Sequence, residues 1–246
     1  MESQEDREGS LIVIEGPDAS GKETQTGNMV EWLRESNYSS IEPDDECRLK
    51  SRMPGSYPSR DDKVKDSIDQ GVWRLSFPTY DQTPGGRVVE AYLDGSLGSR
   101  DSLDINMIVD IYAADRKQFK HVIEEYLSLG GIIVCDRYRE ANLIHQLVGF
   151  SGEAWRKKLE EVKSVDSDLP DADEVFYLDI SPEEAMNRME DRDRDMHELD
   201  EEYLRNSNMN GSKVARTEGW KVVDGSQEID KVTEELRNQI REILAS

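Results

Sequence analysis

The stretch GPDASGK, residues 16–22, has the G-x-x-x-x-G-K spacing of a loop that wraps phosphate oxygens. Glycines at 16 and 21 let backbone N–H groups converge on an anion, and the N-terminus of a following helix adds partial positive charge. Lys22 is placed to reach β- and γ-phosphates, and the apolar run before the loop with an amphipathic segment after it supplies the strand–loop–helix context such a loop needs. Gly16, Ala19, Ser20, Gly21, Lys22, Glu23 and Thr24 are therefore the candidate ATP-binding residues. Such loops carry Ser or Thr for Mg²⁺ directly after the lysine, whereas this chain has Glu23; a carboxylate is also a hard oxygen ligand for that ion. Asp18 is an acid inside an anion site, which calls for a cation or a hydroxyl donor as its partner, or an Asx bond to its own turn.

A second group lies at CDRY, residues 135–138, where an apolar run ends. Ligands of open α/β sheets bind outside the carboxyl ends of the strands, so Asp136 and Arg137 point to the crevice of Lys22. The arginine offers a fork for a second phosphate, and Asp136 can hold a metal-bound water. The competing reading is a surface Asp–Arg pair. A third candidate is the charge-dense stretch NRMEDRDRDMHE, residues 187–198, either a solvated helix face or a lid over the nucleotide.

These groups need elements to hold them. Five apolar runs read as strands: 10–16, 72–77, 131–136, 174–180 and 220–225. They are near-continuous and rich in Val and Ile, as in strands of a parallel sheet buried on both faces. Helical patterns fall at roughly 22–36, 84–94, 104–129, 140–149, 153–164, 182–206 and 227–244, the last with Ile229, Val232, Leu236, Ile240 and Leu244 in helical spacing. The alternation predicts an α/β, doubly wound fold with a five-stranded parallel sheet flanked by helices. One domain over 10–246 is expected, after a disordered acidic N-terminus at 1–9, with residues 37–70 as a polar insertion or flap and a lid over about 186–212.

The chain has 246 residues, 31 basic against 54 acidic, for a net charge of −23. Such acidity fits disorder, a basic partner or a high-salt cytoplasm that screens self-repulsion; the apolar runs argue against disorder, and the even spread of acids favours salt. Without clustered Lys and Arg, nucleic-acid or membrane-surface binding is not expected. No apolar run approaches the ~20 residues that span a bilayer, and the polar start is no signal peptide, so a cytoplasmic protein is expected. Cys47 and Cys135 have no metal-ligand spacing, and Cys135 reads as a small core residue.

The segments EGPDASGKETQ, FPTYDQTPGGRVVEAYLDG, YAADR, DRYREANLIHQ, LPDADEVFYLDISPEEAMNR and EGWKVVDG occur in the order found in thymidylate kinases, and the chain resembles that family of P-loop nucleoside monophosphate kinases from about Leu11 to the last helix. The resemblance implies transfer of the ATP γ-phosphoryl group to dTMP, with Mg²⁺ as cofactor and a homodimer that could form on the apolar face of 104–129. It implies Asp18 on the deoxyribose 3′-hydroxyl, Tyr112 stacked on thymine, Arg116 donating to a thymine carbonyl and Gln146 near the base. It further implies Arg137 on the acceptor phosphate, Tyr138 on the sugar side, and Phe77 with Pro78 shaping the pocket. Asp136 and Glu23 are the implied metal-side residues. Members with no arginine in the phosphate loop, where this chain has Ala19, carry catalytic arginines in the lid; here Arg192 and Arg194 are the candidates, with Arg188 against adenine.

The chain also departs from the family pattern. Ala141 and His145 stand where it has serine and tyrosine, and Tyr80 stands in place of a phosphate-binding arginine, for which Arg74 or Arg87 could substitute. These changes leave room for another pyrimidine monophosphate as acceptor, and Glu23 leaves room for a catalytically silent nucleotide-binding protein.

Overall fold

Strand β1 (Ser10–Glu15) shows why its sequence lacks polar alternation. Leu11 and Val13 enter one core, Ile12 and Ile14 the other, and all four are fully buried. The computed structural model of the chain describes residues 9–36, 38–54, 68–98, 102–189 and 201–245. β1 is central, paired in parallel with β4 (Ile132–Asp136) on one side and β5 (Glu174–Asp179) on the other. β3 (Val72–Ser76) lies beyond β4, and β6 (Lys221–Asp224) lies beyond β5, both parallel.

Among the described residues the sheet has six strands, not the expected five, in the order β2-β3-β4-β1-β5-β6. The added strand, β2 (Ile68–Asp69), is antiparallel to β3 and makes one edge mixed. Its hairpin turns on Gln70 and Gly71, both at positive φ (52° and 73°), the geometry of a two-residue turn that matches strand twist. A two-residue strand shows no periodicity, which is why the pattern misses it.

The helices are α1 (Lys22–Ser36), α2 (Pro43–Arg52), α3 (Pro84–Leu93), α4 (Ile105–Lys117), α5 (Lys120–Ser128), α6 (Glu140–Gln146), α7 (Gly152–Val165), α8 (Pro182–Met189), α9 (Glu201–Glu218) and α10 (Ile229–Leu244). On one face of the sheet α1 and α10 interlock, with Met29 and Leu33 of the first in one core with Val232, Leu236 and Ile240 of the second. On the other face Trp73, Phe119, Ile123, Tyr126 and Cys135 share a core, so Cys135 is the buried residue expected.

Two helix expectations change. The span 104–129 is two helices, broken at Gln118 and Phe119. There Gln118 turns its side-chain amide back onto the carbonyl and carboxylate of Asp115 (both 2.9 Å), while Phe119 drops fully buried between Trp73 and Phe77. The span 182–206 appears as α8 and the start of α9, and residues 190–200 between them lie outside the described residues. So do 1–8 and 55–67. What is described of the 37–70 stretch is folded onto the body: α2 buries Leu49, and the Glu46 carboxylate accepts the Gly71 N–H.

Candidate active site

The parallel register decides what meets at the carboxyl edge of the sheet. Ile14 of β1 and Ser76 of β3 both lie beside Asp136 of β4. Hence the phosphate loop after β1, the Phe77–Pro78 segment after β3 and Arg137 after β4 share one crevice.

The loop itself is tightly wound. Ala19 and Gly21 have φ of 60° and 90°, and such successive turns aim N–H groups at a common anion. A Cβ on Gly16 would meet Ser20 Oγ at 2.7 Å and the Leu178 carbonyl at 2.9 Å, so Gly16 allows close packing behind the loop and does not line the crevice. Ser20, Lys22, Glu23 and Thr24 line it. Ser20 Oγ is buried without a hydrogen-bond partner. Lys22 Nζ donates to the Pro17 carbonyl (3.1 Å) and lies 3.6 Å from Asp18 Oδ1. Burial and then Arg137 push its pKa down, against Asp18 and Asp136.

This cleft holds about 980 Å³. Its far wall is the segment Gly225–Ile229, which sequence reading had not marked. Arg188 of α8 bridges the two walls, donating to the Ala19 carbonyl (3.3 Å) and the Gly225 carbonyl (3.2 Å), with Glu184 holding its Nε (2.8 Å). Glu23 points outward, its side chain 80% exposed, with Arg74 Nη2 donating to its carbonyl (3.3 Å) and 4.0 Å from its carboxylate. Arg74 therefore lines the cleft, whereas Arg87 donates to the Asp81 carbonyl and lines neither recess. Tyr80 lines both recesses, at a left-handed φ of 47°.

A second recess of about 140 Å³ opens beside the first. Tyr112, Arg116, Tyr138 and Gln146 line it, together with the departures Ala141 and His145. Tyr112 meets Tyr92 edge-on at 6.1 Å. Arg116 is 2% exposed; its Nη2 is paired with Asp166 (2.5 Å) while its Nε has no partner. Tyr138 packs on Phe77 at 6.0 Å with its hydroxyl unpartnered.

Among the described residues, five line both recesses: Asp18, Phe77, Pro78, Tyr80 and Arg137. At this seam Arg137 Nη2 donates to Asp18 Oδ1, and its Nη1 faces His145 Nε2 at 3.1 Å. Burial alone would raise Asp18, but Arg137 and Lys22 hold its carboxyl well below the usual range. Asp136, beside them, is pushed up by burial against the pull of Lys22 and Arg137, and its Oδ1 is buried without a partner.

Sequence reading missed the group that shapes the Phe77–Pro78 segment, Asp115. It is 1% exposed and accepts from Thr79 N (2.8 Å), Thr79 Oγ1 (2.5 Å), Thr83 Oγ1 (3.2 Å) and Gln118 Nε2 (2.9 Å). Gly86 lets this loop close, since a Cβ there would collide with the Tyr80 backbone. An acid next to Arg116 on an otherwise apolar helix face was the available signal.

Residues 63–236 match the family model described as thymidylate kinase. The chain belongs to the thymidylate kinase family. It is 28% identical over 190 residues to the thymidylate kinase of Acaryochloris marina, covering 76% of this chain and 72% of that one. With a thymidylate kinase of Prochlorococcus marinus it shares 24% identity over 234 residues, 94% and 92% of the two chains. A solved thymidylate kinase from Candida albicans has the same fold, with a TM-score of 0.66 at 20% identity over 96% of this chain and 92% of that one. The family match begins at residue 63, so the phosphate loop stands outside it, resting on its own geometry. The lid arginines of the family pattern, Arg192 and Arg194, lie outside the described residues.

Proposed function

We propose that the chain transfers the γ-phosphoryl group of ATP to dTMP, giving dTDP and ADP. The observation that carries this reading is the pair of recesses meeting at Asp18 and Arg137: an open one beneath a phosphate loop, and a small one walled by aromatic and arginine side chains. In-line transfer needs two nucleotides with their phosphates end to end, and two adjoining sites supply that alignment.

In this reading the phosphate-loop N–H groups, Ser20 and Lys22 hold the donor phosphates, and Arg188 lies on the nucleoside side. Arg74 takes the place of the arginine that Tyr80 lacks, because it lines the cleft and Arg87 does not. The acceptor base enters between Tyr112 and Arg116, with Gln146 beyond, while Arg137 takes its phosphate and Asp18 its 3′-hydroxyl. The acceptor is already an anion, so no strong general base is needed; alignment and positive charge lower the barrier. Arg192 and Arg194 remain the proposed lid cations.

The acids present fit Mg²⁺. Asp136 has a buried carboxylate oxygen with no protein partner, and Glu23 offers an exposed one at the cleft mouth. Two such acids suit an ion held mostly by phosphate oxygens and water. Bound there, Mg²⁺ would neutralise charge on the phosphates.

We also propose a homodimer. Most of the apolar face of α4 is used internally, with Ile108, Val109 and Ile111 buried, so the contact would rest on what α3 and α4 leave exposed, Val88 and Met107. Light scattering tests this by mass. A cytoplasmic, salt-adapted protein remains our reading of the charge; among the described residues, no helix is long and apolar enough to cross a membrane.

The deciding experiment is coupled ADP formation over a panel of nucleoside monophosphates, at low and molar KCl. ADP formation dependent on dTMP is expected, rising with salt. Turnover with another pyrimidine monophosphate alone would reassign the acceptor, as the Ala141 and His145 departures allow. ATP binding without turnover on any acceptor would overturn the kinase reading.

A further inference from the structure

His145 replaces the family's tyrosine, and its surroundings define a specific task. An arginine can only donate, so at 3.1 Å from Arg137 Nη1 the imidazole Nε2 accepts. The ring proton then sits on Nδ1, which donates to the Tyr203 hydroxyl at 3.2 Å. The two rings also stack, with centroids 6.3 Å apart and planes 30° apart. The chain of bonds runs from Arg137 through His145 to Tyr203, in the first turn of α9.

Both ends of this chain are anchored. Arg137 sits at a left-handed φ of 63°, its N–H bonded to the Ile14 carbonyl (3.2 Å), and Asp18 takes its other amino group. α9 is tied to α6 just before His145, where the Asn210 amide donates to the carbonyls of Leu143 (2.9 Å) and Ile144 (2.7 Å). The guanidinium is thus stretched between Asp18 and His145, which fixes the plane of its fork at the seam between the recesses. A planar fork recognises phosphate only in a matching orientation.

We propose that His145 is a positioning residue for the acceptor phosphate: as a neutral Nε2 acceptor it sets the orientation of Arg137 and couples it to α9 through Tyr203. This rests on the kinase reading above. The phosphate approaches Arg137, not the imidazole, so His145 acts on acceptor affinity and leaves the donor side alone.

The test compares the full-length wild type with His145→Ala, His145→Gln and Tyr203→Phe. Kinetics are measured for dTMP and ATP, and dTMP titration by calorimetry without ATP is run alongside. His145→Ala is expected to raise the KM for dTMP about tenfold, the loss of one hydrogen bond to a charged group, with kcat and the KM for ATP little changed. His145→Gln, whose carbonyl accepts from Arg137 and whose amide donates to Tyr203, should recover most of that loss. Tyr203→Phe should fall between. An unaltered KM for dTMP in His145→Ala, or His145→Gln as weak as His145→Ala, overturns the positioning role. If the wild type binds dTMP without turnover, the kinase reading fails, and calorimetry on the same proteins decides the role of His145. A wild type that binds no monophosphate overturns both.

Discussion

The two recesses solve recognition in opposite ways. The proposed donor cleft is wide, with the phosphate loop on one side, and two of its charged residues, Glu23 and Arg74, reach toward solvent. The acceptor pocket is about one-seventh as large, at 140 against 980 Å³, and its charged residues are locked in place: Arg116 by Asp166, and Arg137 by Asp18 and His145. In the proposed function, backbone N–H groups would read any triphosphate and tolerate side-chain change, while buried side chains that are also part of the fold would read one acceptor. Substitutions should therefore separate the two regions: loss of stability with loss of binding on the acceptor side, and loss of rate alone on the donor side.

The largest effect is expected at Asp166. It is 2% exposed and holds Arg116, also 2% exposed, while Asn142 Nδ2 adds a 3.4 Å bond. Asp166→Ala leaves a buried guanidinium without its partner, which costs about 3–5 kcal/mol. Denaturant unfolding should show that loss, together with a higher KM for dTMP. If stability holds while KM rises, Arg116 is a mobile reader and the acceptor pocket is not part of the core.

On the donor side, Lys22→Ala should lower kcat by about 10²–10³, as for loss of one preorganised donor to developing charge. Its unfolding free energy should change little, because Lys22 donates to the Pro17 carbonyl within its own loop, whose shape is set by backbone geometry. A marked drop in stability would erase the contrast between the regions.

The same contrast explains what could be read from the sequence. The phosphate loop was legible because its residues are contiguous from 16 to 24 and the strand before them is a run of residues buried on both faces, whereas the Gly225–Ile229 wall of the same cleft was not. That β1, β3, β4, β5 and β6 run parallel followed from the same patterns; their order in the sheet did not. The proposed acceptor pocket is assembled from α4, α6, α9 and the segments after β1, β3 and β4, so apart from Asp18 and Arg137, which their own chemistry marked, its residues were nameable only by family resemblance. Even then Asp115 stood inside a quoted motif with no role, because its four hydrogen bonds reach residues 79, 83 and 118 across a helix break that hydrophobic spacing does not mark. The choice between Arg74 and Arg87 depended on which side of β3 and α3 faces the cleft. The His145–Tyr203 contact joins residues 58 positions apart.

Glu15 lies buried behind the seam, next to Tyr138 and within the field of Arg137, and tests how tightly the regions are joined. It ends β1, is fully buried, and accepts the Tyr138 N–H (3.1 Å). Burial pushes its pKa up to about 7 from 4.5, with Arg137 pulling the other way. The folded state therefore keeps a proton that the unfolded chain loses. Glu15 contributes most below pH 4.5, and that contribution is lost as pH rises to about 7, by on the order of 3 kcal/mol at most. Glu15→Gln cannot titrate, so the stability of wild type relative to this variant should fall across that window and be flat above it. A flat difference throughout would mean that the seam is hydrated and Glu15 ionises freely.

The smallest effect is expected at the residue that departs most visibly from the phosphate-loop pattern. Glu23 is 80% exposed and its carboxylate lies 4.0 Å from Arg74, itself 36% exposed. An exposed pair of this kind is worth about 0.2–1 kcal/mol and weakens with salt. A double-mutant cycle of Glu23→Ser and Arg74→Ala, read in kcat/KM for ATP, should give a coupling in that range at low KCl and near zero at molar KCl. Glu23→Ser should keep turnover and move only the Mg²⁺ concentration at half-maximal rate, because in the proposed site Asp136 and the phosphates would supply the other oxygens. Arg74→Ala should cost more than Glu23→Ser, since Arg74 also stands in the cleft as a cation. If Glu23→Ser instead lost as much rate as Lys22→Ala, the donor cleft would depend on a specific side chain as the acceptor pocket does, and the distinction between the two recesses would fail at its most exposed point.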